Sequence, residues 1–167
     1  MLREHVPLQS LSTLGVGGPA RWFAKATTPE EVHAIHQWCE DQNLPLFILG
    51  GGSNLVISDE GVHGLVLAMA VPGLTITADS DGTIVNAGAG ESWDAVVESV
   101  VDAGLSGIAC LSGIPGTVGG TPIQNVGAYG QEVAGVIERV TIFDRTRGEF
   151  ADLAAAECGF SYRASRF

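Results

Sequence analysis

The chain has 167 residues, 46% of them apolar and only 16% charged, with glycine at 23 positions, about twice the usual share. This excludes an intrinsically disordered chain and allows burial of roughly 70% of the unfolded surface, in one domain or two small lobes. Acids outnumber bases 19 to 8, giving a formal charge of -11 with Lys25 the single lysine, which argues against a nucleic-acid groove or an anionic membrane surface as partner.

The expected elements run as follows. A polar lead-in ends at a turn built from Gly15, Gly17, Gly18 and Pro19, and residues 21–26 (RWFAKA) read as a short strand. A helix follows, with Thr28 as N-cap, Pro29 at the first helical position and Glu31 completing a capping box. Asn43 and Pro45 stop it, and Val32, Ile35, His36 and Cys39 recur on one face. His33 and His36 lack a third ligand and read as structural. Residues 46–49 (LFIL) are an uninterrupted apolar run, expected as a strand buried on both faces.

That strand empties into Gly50, Gly51, Gly52, Ser53 and Asn54. A dinucleotide fingerprint would need a glycine or alanine where Leu55 stands, then a helix; instead LVIS (residues 55–58) reads as another strand. A phosphate P-loop would need Gly-Lys-Ser/Thr, and Lys25 lies far upstream. What remains is either a plain tight turn or a strand-turn-strand nest, whose backbone N–H groups, Ser53 hydroxyl and Asn54 amide hold a pyrophosphate.

Further strands are expected at residues 64–69, 74–78 and 83–87, the last two as a hairpin around a turn at 79–82 (DSDG). A helix over 92–103 carries Val96, Val97, Val100 and Val101 as its buried stripe, with Gly104 at its C′ position. Residues 111–130, LSGIPGTVGGTPIQNVGAYG, are the stretch around which the chain is arranged. Glycines this dense, without regular periodicity, mean sharp turns or close approach of the backbone to a flat or phosphorylated group. This loop and the one at 50–54 are expected to clasp one nucleotide cofactor. A strand over 136–143 turns at Arg147-Gly148 and returns through Phe150, and 154–158 is a single helical turn. A break near 71–73 divides an N-terminal lobe, 1–70, from a second, 71–167, and the class is α+β. Cys39, Cys110 and Cys158 stand apart with no CxxC spacing, which suits small core residues in a reducing cytosol. MLREHVPLQS holds no apolar signal core, and no run long enough to span a membrane occurs, so a soluble cytoplasmic protein is expected.

Residues 49–58 (LGGGSNLVIS), 87–93 (AGAGESW), 114–120 (IPGTVGG), 122–130 (PIQNVGAYG) and 157–167 (ECGFSYRASRF) together resemble the UDP-N-acetylenolpyruvoylglucosamine reductases, also called UDP-N-acetylmuramate dehydrogenases. GGGSN and IPGTVGG are shared with flavoenzymes of the vanillyl-alcohol oxidase type; QNVGAYG with YRASRF narrows the match. The resemblance implies a two-lobed FAD-binding domain of that type. The cofactor-binding residues it implies are Gly50, Gly51, Gly52, Ser53, Asn54 and Leu55 in the first loop, and Ile114, Pro115, Gly116, Thr117, Gly120, Asn125, Gly127 and Ala128 in the second. It also implies NADPH as reductant, UDP-N-acetylglucosamine enolpyruvate as substrate, and a place in peptidoglycan precursor synthesis, hence in cell-wall biogenesis, cell shape and division.

Arg163 matches the family's active-site arginine, whose guanidinium grips a carboxylate as charge builds there, and Tyr162 is a substrate contact or core residue. Tyr129 either lies near the flavin or packs, and the amides of Gln124 and Asn125 reach flavin or backbone. The family continues beyond the arginine into a substrate domain bearing a serine proton donor and a catalytic glutamate, neither assignable here. The chain is therefore expected to bind FAD more readily than it turns over substrate, with sticky apolar surface where that domain docks. The rivals are the FAD-binding module of another flavin oxidoreductase and a non-catalytic flavin-binding fragment.

Overall fold

A polar pentapeptide that sequence patterning leaves as lead-in, REHVP, is the first strand, β1 (Arg3–Pro7), antiparallel to β2 (Pro19–Ala26). Four of its five residues are exposed, so no apolar alternation marks it in the sequence, and His5, at φ 51°, interrupts its extended backbone. The computed structural model describes residues 2–78, 80 and 82–167. Its chain divides into two compact units, Met1–Val71 and Pro72–Phe167.

In the first unit, β2 leads into α1 (Pro29–Asp41), then β3 (Leu46–Leu49) and β4 (Val62–Met69). β4 inserts between β2 and β3, parallel to both, giving the order β1-β2-β4-β3. The two central strands are the buried ones, β4 enclosing Leu65, Val66 and Leu67 and β2 enclosing Ala20, Phe23, Ala24 and Ala26. β3 has β4 alone as partner, and this overturns its expected burial: Leu46 and Leu49 are covered, while Phe47 and Ile48 are 49% and 48% exposed. Residues 55–58 form no strand, and Val56 lies open to solvent. Leu8, Ala20, Phe23, Leu49 and Val66 make one core of this unit.

α1 starts as its residues require. Thr28 Oγ1 accepts from the Glu31 N–H at 3.3 Å, while the Glu31 carboxylate takes the Thr27 N–H at 2.6 Å and the Thr27 hydroxyl at 2.8 Å, one residue further back than a capping box predicts. Those donors, the Thr27 N–H first, hold the Glu31 carboxyl below the usual carboxylate range. Val32, His36 and Cys39 are buried, His36 with Nε2 3.9 Å from Glu40 Oε1, and Trp38 meets Trp22 edge-on at 5.3 Å. Asn43 ends the helix in the left-handed region at φ 51°.

In the second unit, β5 (Leu74–Ala78) and β6 (Thr83–Ala87) form the expected hairpin, in register from Leu74↔Ala87 to Ala78↔Thr83. Two residues of its expected turn, Asp79 and Asp81, lie outside the described residues. α2 (Trp93–Asp102) buries Trp93, Val96, Val97 and Val100 against Ile108, Leu111, Val126 and Val133. Val101, expected in that stripe, is 47% exposed, because it lies one residue beyond Val100 on a helix whose buried arc is filled at 93, 96, 97 and 100. Gly104 closes the helix at φ 73°. Two more hairpins follow: β7 (Gly127–Ala128) with β8 (Gln131–Glu132), and β9 (Arg139–Asp144) with β10 (Glu149–Ala154). A single 3-10 turn, Ala155–Glu157, precedes the C-terminal residues.

Candidate functional site

Gly52 is the one residue of the first glycine loop in the left-handed region, at φ 69°, and it is buried. A Cβ there would overlap the Leu11 carbonyl oxygen, and the Gly52 carbonyl accepts from the Thr13 N–H at 3.0 Å. The loop is therefore seated on residues 11–13. Gly51, Gly52 and Asn54 donate their backbone N–H groups to no acceptor among the described residues. Leu55 continues from the loop as an exposed side chain.

The second loop is fixed by the N-terminal turn of α2. Trp93 donates its backbone N–H to Gly116 O at 3.1 Å and its indole N–H to Leu111 O at 3.0 Å. Asp94 Oδ1 accepts the Gly113 N–H at 2.6 Å and the Ser112 hydroxyl at 3.0 Å. Those two donors, the Gly113 N–H foremost, hold the Asp94 carboxyl below the ordinary carboxylate range. Val118 and Gly119 donate to the carbonyls of Glu91 and Ala89 at 3.0 and 2.9 Å. A Cβ on Gly119 would collide with Ala89, so glycine is required there. Between these anchors Ile114, Gly116 and Thr117 keep backbone N–H groups without a described acceptor. Neither Asp94 nor this clasp was anticipated from sequence; the available signal was an acid in the first turn of an expected helix.

Asn125, expected to reach flavin or backbone, spends its side chain inside the unit. It is 1% exposed, at φ 44°, donating through Nδ2 to Glu132 Oε2 at 2.8 Å and Ser161 O at 3.0 Å, and accepting the Ala134 N–H at 3.1 Å. Gly127 and Ala128 are the two residues of β7, and Tyr129 and Gly130, both at positive φ (50° and 83°), form the two-residue turn to β8. Tyr129 is exposed rather than packed, and so is Tyr162. Residues 161–164 make a tight turn, closed by the reciprocal backbone pair of Ser161 and Ala164, with Arg163 at φ 54°. The Arg163 guanidinium donates from Nη2 to Gly127 O at 2.8 Å, its carbon 5.9 Å from the Tyr162 ring centroid. Arg163, Tyr162, Asn125 and Gly127, far apart in sequence, are thus brought together. Among the described residues, three of the five non-glycine residues at positive φ, Asn125, Tyr129 and Arg163, belong to this one locality; such strain persists where surroundings over-determine the backbone.

Among the described residues no group of three or more His, Cys, Asp or Glu side chains stands ready to hold a metal, and no helix is long and apolar enough to cross a membrane.

Comparison with known proteins bears on the family and the fold. The FAD binding domain family matches residues 20–153. The UDP-N-acetylenolpyruvoylglucosamine reductase of Streptomyces coelicolor is 50% identical over 98% of this chain and 42% of its own length. The solved reductase of the same name from Thermus caldophilus superimposes with a TM-score of 0.77 at 35% identity, over 100% of this chain and 58% of that one. A VAO-type flavoprotein from Myceliophthora thermophila shares the fold, with a TM-score of 0.66 at 19% identity over 85% of this chain and 28% of its own. The chain spans less than half the length of three such curated reductases, 42–46% of each. Taken with the two glycine loops and the mixed helix and sheet, these matches make the chain a member of the FAD binding domain family, similar throughout to part of the UDP-N-acetylenolpyruvoylglucosamine reductases.

Proposed function

We propose that this chain binds FAD and, in the complete protein, takes part in the NADPH-dependent reduction of UDP-N-acetylglucosamine enolpyruvate to UDP-N-acetylmuramate, a cytoplasmic step of peptidoglycan precursor synthesis. The observation that carries the reading is the arginine of YRASRF seated on the GAYG backbone, Arg163 Nη2 on Gly127 O at 2.8 Å. It joins in one locality the two motifs most particular to the relatives' name. Arg163 makes no ion pair among the described residues, so its charge is available to an incoming anion.

The residues present fit FAD. Phosphate oxygens need convergent N–H donors and close approach, and Gly51, Gly52 and Asn54 offer uncommitted N–H groups on a loop nearly without side chains. Ile114, Gly116 and Thr117 offer the same for a polar ring edge or ribityl chain, on a segment that α2 holds still. Bound FAD supplies the hydride carrier between NADPH and the enolpyruvyl double bond. Arg163 grips the substrate carboxylate with two parallel hydrogen bonds, which tighten as hydride addition pushes negative charge onto that group. Tyr162, exposed beside it, contacts substrate. The neighbouring carbon also takes up a proton, and no residue of this chain is assigned as its donor.

The test is Arg163→Ala in the complete coding sequence, followed by anaerobic stopped-flow absorbance. Flavin reduction by NADPH keeps its rate, while substrate-dependent reoxidation slows by about 10²- to 10³-fold, the loss of one charged transition-state partner. Equal slowing of both half-reactions contradicts the role given to Arg163. A protein that purifies colourless and takes up no added FAD contradicts the cofactor as well.

A further inference from the structure

The turn that carries Arg163 is stitched to alternate residues of the loop it sits on. Ser165 Oγ donates to Ile123 O at 2.7 Å, Asn125 Nδ2 donates to Ser161 O at 3.0 Å, and Arg163 Nη2 donates to Gly127 O at 2.8 Å. Positions 123, 125 and 127 thus meet 165, 161 and 163. We propose that Asn125 and Ser165 are positioning residues that aim the Arg163 guanidinium, by clamping the 161–165 turn onto the 123–127 strand of loop.

The chemistry favours this over a packing role. Asn125 is buried, and its side chain is held in one orientation: both amide hydrogens face oxygens, Glu132 Oε2 and Ser161 O, and the amide oxygen accepts the Ala134 N–H. Glu132 and Ala134 fix Asn125 from one side, so the bond to Ser161 transmits that rigidity to the turn. Ser165 performs the same task at the far end of the turn, where its Oγ also accepts the Phe167 N–H at 3.1 Å. A long arginine side chain left to itself samples many rotamers. A bidentate grip on a carboxylate needs one of them, on a backbone held at φ 54°, which the two tethers supply.

This inference rests on the reading of Arg163 given above, and the experiment separates the two. Asn125→Ala, Ser165→Ala and Arg163→Ala, singly and in pairs, are made in the complete coding sequence, and each half-reaction is timed by stopped flow. Ser165→Ala slows substrate-dependent reoxidation about three- to tenfold, the factor one neutral hydrogen bond carries, and Asn125→Ala slows it by up to about a hundredfold, as misplacement of the group by about 1 Å does. NADPH-dependent reduction keeps its rate. In the Arg163→Ala background neither substitution adds a further loss, because the residue they aim is gone. Full, additive slowing in both backgrounds overturns the proposal. If Asn125→Ala fails to fold, the Ser165→Ala cycle decides alone. Arg163→Ala with unaltered reoxidation sinks the reading of Arg163 instead. The clamp is then judged by the Arg163 guanidinium resonances in nitrogen-15 spectra: protected from exchange in the parent and averaged in Ser165→Ala if the clamp exists, and the same in both if it does not.

Discussion

Gly52 and Gly51 are adjacent in sequence, yet the structure assigns their substitutions different effects on stability. In Gly52→Ala the new side chain must sit at φ 69°, which costs an ordinary residue about 1–2 kcal/mol. Its Cβ overlaps the Leu11 carbonyl oxygen, so the loop has to move and the Thr13 N–H bond to Gly52 O is lost or stretched, about 0.5–1.5 kcal/mol more. The reduced freedom of the unfolded chain offsets about 0.4–1 kcal/mol of this. The net loss is about 1–3 kcal/mol, a substantial part of the 5–15 kcal/mol of a typical domain. Gly51 is outside the left-handed region and exposed, so Gly51→Ala leaves stability within about 0.5 kcal/mol. Its added methyl instead crowds whatever approaches the loop's free N–H groups. Urea unfolding and FAD fluorescence titration of both variants separate the effects: Gly52→Ala loses stability and FAD affinity together, Gly51→Ala loses FAD affinity alone. Unchanged FAD affinity in Gly51→Ala would show that this loop is only a turn, and the pyrophosphate reasoning would fall.

Asp94→Asn keeps an oxygen that can accept both the Gly113 N–H and the Ser112 hydroxyl but removes the charge that strengthens those bonds, and the expected result is weaker FAD retention in dialysis with little change in secondary structure by circular dichroism. Because the Asp94 pKa is depressed in the folded chain, its contribution is complete above the unfolded value of about 3.9 and disappears as pH falls through the lower folded value; in an acid titration of FAD fluorescence the advantage of the parent over Asp94→Asn therefore shrinks across that range. Val97→Ala, at a fully buried site, costs about 2–3 kcal/mol, whereas Val101→Ala, half-exposed one turn further on, costs about 0.5 kcal/mol; similar losses in urea unfolding contradict the assigned helix face.

Local chemistry was legible wherever a residue's own preference decides the backbone. Thr28 and Pro29 open α1, Asn43 and Gly104 close helices at positive φ, and the β5–β6 hairpin takes the pairing its alternation requires. What misled was burial set by neighbours. LFIL and LVIS are apolar enough for a sheet interior, but β4 takes the central place, so β3 is left at the edge and residues 55–58 find no ladder partner. At the site, the glycine loops and Arg163 stood out through composition and motif. The bonds that fix them join residues up to 42 apart in sequence, as between Ser165 and Ile123, and no spacing rule reads those. Asn125 illustrates the difference: its type suggested a contact to flavin or backbone, and its placement takes the second, to Ser161 and Ala134, which makes it a brace.

The two rims of the first sheet are not equally defended. β1 carries Arg3, Glu4 and a backbone kink at His5, whereas the outer rail of β3 presents Phe47 and Ile48 with no charge in its four residues. Peptide groups left without ladder partners beside greasy side chains are a docking template for any extended polypeptide, including nascent copies of the same chain. The colloidal behaviour of this protein is thereby tied to four residues that take no part in its chemistry.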